Sequence, residues 1–209
     1  MTEQKSMNPH NICMWKDSSE CEGCELKGKL KCRFQKKDLL IFILSFLIFF
    51  VPAVIGVIRA GYGWFLIGWF VFFLIFFEFW EIRIICSHCP FYAEEGRILH
   101  CIANYGIFKV WKYHPEPISL SEKIQIFIGF IIFGGYPIVF LILGAQYLFL
   151  IIYSIGLAFF FIRLQLKTCP KCVNFSCPLN RVPKNIVDAY LKRNPVMKKA
   201  WEEKGYKID

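Results

Sequence analysis

The chain has 209 residues and a formal charge of +9; 56% of it is hydrophobic, and 23 of its residues are phenylalanine. A mean hydropathy of +0.44 excludes an intrinsically disordered chain and exceeds what an ordinary soluble domain carries. The basic excess would point to nucleic acid in a soluble domain, but here membrane topology and anionic lipid account for it, so no nucleic-acid partner is expected.

Residues 1–37 form a segment with four cysteines, Cys13, Cys21, Cys24 and Cys32, spaced C-x7-C-x2-C-x7-C with Gly23 at the central turn. Four thiolates complete a tetrahedral zinc site or hold a four-iron cluster. The segment has few apolar residues, mainly Ile12, Met14, Trp15, Leu26, Leu30 and Phe34. So small a unit lacks a core of its own and is expected to need metal to fold. The alternative is a disordered tail with acylated cysteines.

Residues 38–82 read as two transmembrane helices. Twenty uncharged residues separate Asp38 from Arg59, and eighteen more run from Ala60 to Phe77. About 20 helical residues cross a bilayer core. A secretory signal fits poorly, because the apolar run starts near residue 39, follows a cysteine-bearing segment and lacks a small-residue cleavage pattern. Pro52 is expected to kink the first helix without ending it. Glu78 is the one acid within a span, which makes it a candidate proton relay or a partner for Arg163, with snorkelling to the interface as the bland alternative.

Residues 83–123 make a Cys/His-rich loop holding Cys86-Ser87-His88-Cys89-Pro90 and His100-Cys101. A short helix or strand pair is expected over this knot. Residues 124–166 contain 39 uncharged positions from Ile124 to Ile162, which fits two more helices turning at Gly144-Ala145-Gln146. Gly134-Gly135-Tyr136-Pro137 is expected to break the third helix. Residues 167–209 open with Cys169-Pro170-Lys171-Cys172 and Cys177-Pro178. They continue as one or two short helices, with Val182, Ile186, Ala189 and Tyr190 at helical spacing and Pro195 interrupting. The fold class is therefore an all-α integral membrane protein: four transmembrane helices with cytoplasmic cysteine-rich metal-binding segments.

Lys27, Lys29, Lys31, Arg33, Lys36 and Lys37 crowd the approach to the first helix, and the tail from Arg163 has eleven basic residues against four acids. The positive-inside rule then places both termini and the middle loop in the cytoplasm of a multi-pass cell-membrane protein. Thiols there stay reduced, so clustered cysteines at C-x2-C spacing point to zinc or iron–sulfur rather than disulfides.

The second knot (Cys86, Cys89, Cys101) and the third (Cys169, Cys172, Cys177) each stand one donor short of a tetrahedral set. Three allocations fit the sequence: each knot completes its own site, with His88, His100 or His114 at the second; the two C-x2-C pairs share one site; or a three-cysteine cluster keeps an open iron. Proline after Cys89, Cys169 and Cys177 resembles the Cys-Pro of ferredoxin runs. His88, His100 and Glu78 are the candidate catalytic groups. The phenylalanines serve as packing and lipid-facing bulk, or line an apolar site for a quinone-like or isoprenoid tail. No phosphate loop, dinucleotide glycine loop, HExxH or nucleophile elbow occurs.

Four helices with a cysteine-rich loop resemble the arrangement of protein S-acyltransferases, but the Asp-His-His-Cys run is absent and Ser87-His88-Cys89 stands nearest. The chain also broadly resembles small membrane iron–sulfur subunits that link a quinone pool to soluble redox partners. The expected function is electron transfer between a membrane pool or partner and a cytoplasmic one. The alternatives are a zinc-stabilised membrane enzyme acting on a lipid or thioester and a non-catalytic membrane scaffold subunit.

Overall fold

The structure, a computed structural model, describes residues 8–16 and 18–209; residues 1–7 and 17 of the N-terminal segment lie outside the described residues. Four helical stretches are long and apolar enough to cross a membrane: Lys36–Arg59, Phe65–His88, Leu120–Leu143 and Tyr147–Lys171. The first is helix α1 (Lys36–Arg59). The second is built from α2 (Phe65–Ile75), a π turn (Phe76–Trp80) and α3 (Glu81–Ile84), and runs into a 3-10 turn at Cys86–His88. The middle loop contains antiparallel strands β1 (Ile98–His100) and β2 (Tyr105–Phe108). Helix α4 (Leu120–Leu143) comes next, and α5 (Tyr147–Arg163) passes through a second π turn (Leu164–Thr168) into a 3-10 turn at Cys169–Lys171. The tail holds α6 (Lys184–Lys192) and α7 (Pro195–Glu203). The protein is mostly helical, as expected, and the strand pair is the exception.

The two membrane hairpins are built alike. Each goes out along a 24-residue helix with one proline inside it and returns along a helix that loosens into a π turn just before a C-x2-C 3-10 turn. Neither proline ends its helix. The break expected at Gly134-Gly135-Tyr136-Pro137 does not occur, and α4 is continuous through it. Proline cannot donate to the carbonyl four residues earlier, here Phe133. The indole N–H of Trp69 fills that gap, donating to Phe133 O at 3.0 Å. Tyr153 Oη donates to Gly134 O at 2.7 Å, tying α5 to the same stretch. In α1 the carbonyl freed by Pro52 is that of Ile48, and it faces Gly156 of α5. A Cβ at Gly156 would stand only 3.2 Å from that oxygen and 3.2 Å from the Phe49 Cα, so the glycine sets how closely α1 and α5 pack.

The bundle core is aromatic. Phe49, Trp69, Phe133, Tyr153 and Phe160 are buried together, with Trp69 sandwiched between Phe50 and Phe133 at centroid separations of 5.1 Å on either side. Large apolar residues such as Leu44, Ile131 and Leu148 point outward, as lipid-facing positions should. Phe79, Phe127 and Phe159 point outward as well, so phenylalanine is found both in the core and on the outer face of the helices.

A second core lies outside the bundle. It joins Ile12, Met14, Leu26 and Leu30 of the N-terminal segment to Phe91 and Leu99 of the middle loop and to Tyr190, Leu191, Met197 and Trp201 of the tail. All three cysteine-bearing segments thus fold as one body at one end of the bundle. The N-terminal segment is not a self-contained unit. Its few apolar residues share a core with those of α6 and α7, which pack on it.

Candidate functional site: a layer of ten thiols

All ten cysteines are free, and the fold sorts them into two groups. In the first, Cys13, Cys21, Cys24 and Cys32 lie within reach of one another's charge. Nitrogen donors from elsewhere in the chain surround them. Arg193 Nη1 stands 3.2 Å from Cys24 Sγ and Asn194 Nδ2 3.4 Å from Cys13 Sγ. Arg33 Nη2 lies 3.8 Å from Cys21 Sγ. Asn194 Oδ1 also accepts the Cys13 backbone N–H at 2.6 Å, so this buried asparagine grips the first cysteine twice. Burial, and then the neighbouring thiols, push the Cys32 thiol up to about 12.

The second group joins the two remaining knots. Cys89 feels Cys101, Cys172 and Cys177; Cys172 feels Cys177, Cys101 and Cys169. Asn174 Nδ2 donates to Ile85 O at 3.0 Å, stitching the turn after Cys172 to the turn before Cys86. The Lys31 backbone N–H donates to Lys171 O at 2.7 Å and brings the N-terminal group alongside. Each C-x2-C forms the same tight turn, with the second cysteine's N–H bonded to the first cysteine's carbonyl: Cys24 to Cys21, Cys89 to Cys86 and Cys172 to Cys169. In this second group the backbone amide two residues past the cysteine favours the thiolate at four positions: Phe91 at Cys89, Ala103 at Cys101, Asn174 at Cys172 and Leu179 at Cys177. Burial nonetheless dominates. It raises Cys89, Cys101 and Cys172, and takes Cys177 up to about 12. Among the described residues, no group of three or more His, Cys, Asp or Glu side chains is arranged so that it could hold a metal ion.

Glu81 is a group that the sequence reasoning passed over. Its Oε2 accepts from Asn104 Nδ2 at 2.6 Å and lies 3.9 Å from Cys86 Sγ, while the same Asn104 amide stands 3.2 Å from that sulfur. Glu78 stands out in the sequence instead because it lies deeper in the apolar run. It is half-buried, and none of the described hydrogen bonds or ion pairs involves it. Arg163 bonds Ser45 Oγ at 3.1 Å rather than Glu78. A signal for Glu81 was present in its position, five residues before Cys86 at the end of a span.

Three of the four histidines are held through Nδ1 by oxygen atoms. His88 is buried with Nδ1 2.6 Å from Glu116 O, and its ring lies 5.3 Å from that of His114. His100 Nδ1 pairs with Glu94 Oε2 at 2.9 Å, and its ring packs beside Tyr105. His114 pairs with Glu116 at 3.1 Å, and His10 packs on Tyr113.

In comparisons with known proteins, no family model matches this chain, and neither does any curated protein or solved structure. The class defined by fold and site is a multi-pass membrane protein with a thiol layer at one end of its bundle.

Proposed function

We propose that the chain is a membrane metalloprotein, iron–sulfur in type, that passes electrons between a membrane redox pool or partner and a cytoplasmic redox partner. The observation that carries this reading is the convergence of three C-x2-C turns in one body at the end of the bundle, each closed by the same N–H···O=C bond. Such turns pre-shape sulfurs for a metal, and amide or guanidinium donors to sulfur tune a cluster's potential. Free thiols and the excess of lysine and arginine near the span ends fit the cytoplasmic face. For the membrane end, an apolar groove between α2 and α4, lined by Phe72, Phe76, Trp80, Gln125, Gly129 and Ile132 among others, is the place for a quinone-like or isoprenoid tail. Gln125 is its polar end.

The test is the metal and acid-labile sulfide content of protein purified anaerobically in detergent, with absorption spectra before and after dithionite. Iron matched by sulfide, with a visible band that dithionite bleaches, is the expected result. A colourless protein with zinc and no sulfide refutes electron transfer and leaves a zinc-stabilised enzyme or scaffold.

A further inference from the structure

Strands β1 and β2 form a two-stranded ribbon with one side on the second core, where Leu99 is buried and Ile107 packs against it. The other side of such a ribbon ordinarily turns polar where it meets water. Here it does not. Ile98 and Phe108 are cross-strand partners, and they are 43% and 68% exposed. Val110 and Trp111 continue the exposed run beyond β2. Outside the four membrane-spanning stretches, only Tyr105, Trp64 and Val196 join these four as exposed large apolar residues among the described residues. The exposed apolar surface of the body that carries the thiols is thus gathered on and just after the ribbon.

Arg83 ties that patch to the end of the second span. Its guanidinium carbon stands 5.9 Å from the ring centroid of Trp80 and 5.4 Å from that of Trp111. Trp111 is fixed in turn by its backbone N–H, which donates to Tyr92 Oη at 3.0 Å. Arg83 is exposed, and among the described residues its side chain makes no hydrogen bond or ion pair. Its charge reaches Glu122, but Oε2 of that carboxylate is engaged by the Ser119 N–H and Oγ at 2.7 Å each. A guanidinium held between two rings with its donors unspent suits a phosphate, whose oxygens match the planar fork. Tryptophan rings and a cation at the end of a span are also what the headgroup layer of a bilayer selects.

We propose that the ribbon is a membrane-interface anchor: Ile98, Phe108, Val110 and Trp111 lie in the headgroup layer beside the second span, and Arg83, between Trp80 and Trp111, binds the phosphate of an anionic phospholipid. The patch continues through the exposed Trp80 onto the outward face of the second span, which favours lipid over a soluble partner as its cover. This inference goes beyond the electron-transfer reading and does not depend on what the thiols hold.

The test uses the full chain reconstituted in phospholipid vesicles. Phe108→Trp places a reporter on the ribbon, read as the emission gained over the unaltered chain. Brominated acyl chains should quench that gain, and aqueous iodide should leave most of it. Arg83 is read through Trp111, as the emission lost in Trp111→Phe. Brominated phosphatidylglycerol should quench it more than brominated phosphatidylcholine at equal fraction, and Arg83→Gln should cut that preference about fivefold, the worth of one basic residue at an anionic surface. A reporter that iodide quenches and bromine does not stands in water, and overturns the anchor. Protection from both quenchers means that a second protein surface covers the ribbon, and overturns it as well. Equal quenching by the two lipids, or a preference that soluble inorganic phosphate abolishes, overturns the lipid site at Arg83.

Discussion

The bond from Trp69 to Phe133 makes a quantitative claim about how a proline is tolerated in the middle of α4. Trp69→Phe removes the N–H that satisfies Phe133 O, the carbonyl deprived of its helical donor by Pro137. A buried acceptor left without a partner costs about 1–3 kcal/mol, although interhelical hydrogen bonds within membranes average nearer 0.6 and reach about 1.7 kcal/mol. The smaller ring also loses part of its stack with Phe50 and Phe133, but that loss is common to any background. In Pro137→Ala the backbone amide returns to Phe133 O, so Trp69→Phe should cost about 1 kcal/mol less there than in the natural chain. The measurement is a double-mutant cycle on unfolding in mixed micelles titrated with SDS and monitored by far-ultraviolet circular dichroism. An equal cost of Trp69→Phe in both backgrounds, within about 0.3–0.5 kcal/mol, would refute the claim that the indole stands in for the missing amide.

Gly129→Ala should destabilise the bundle by about 1–3 kcal/mol as an overpacked site, since a Cβ there would stand 1.9 Å from Phe76 Cε2. The same micelle titration checks it, and in a Phe76→Ala background the Gly129→Ala step should cost much less. In the tail, burial pushes the Asp188 carboxyl up, but the Lys184 ammonium, the Tyr206 hydroxyl and the Asp209 N–H outweigh it and hold it below its usual value. Its contribution is therefore complete above the unfolded carboxylate pKa, near 3.9, and lost as pH falls through the lower folded value. The packing of Tyr206 on Trp201 should loosen on that acid side, read as Trp201 fluorescence, and Asp188→Asn should remove the dependence.

The membrane half of the fold was legible because a bilayer imposes length and apolarity that local composition reports directly. The turns at 60–64 and 144–146 fell where charge or glycine interrupted the runs. The expectation of a break at Pro137 failed because its cure, Trp69, lies 64 residues away from Phe133 on another helix, and no local pattern encodes that pairing. The convergence of the three knots came from counting spans. Their shared core did not, since Met14 and Leu26 look stranded until α6 and α7 are placed against them. The likeness of the two hairpins was readable as a proline in each outgoing helix and a C-x2-C after each returning one. Glu81 was missed because depth in the apolar run singled out Glu78, whereas proximity to sulfur depends on the helix's rotation through the π turn.

Asn194 holds Cys13 across 181 residues of chain, and that span has a consequence for biogenesis. At about 5–20 residues per second, the N-terminal cysteines wait roughly 10–35 s after leaving the ribosome before the residues that close over them exist. Throughout that interval both membrane hairpins are being made while Cys24 and Cys13 stand without Arg193 and Asn194. Closure of the N-terminal group by Arg193 and Asn194 is thus completed only at the end of synthesis. A chain truncated before residue 193 should enter the membrane yet leave that group open to thiol-reactive reagents.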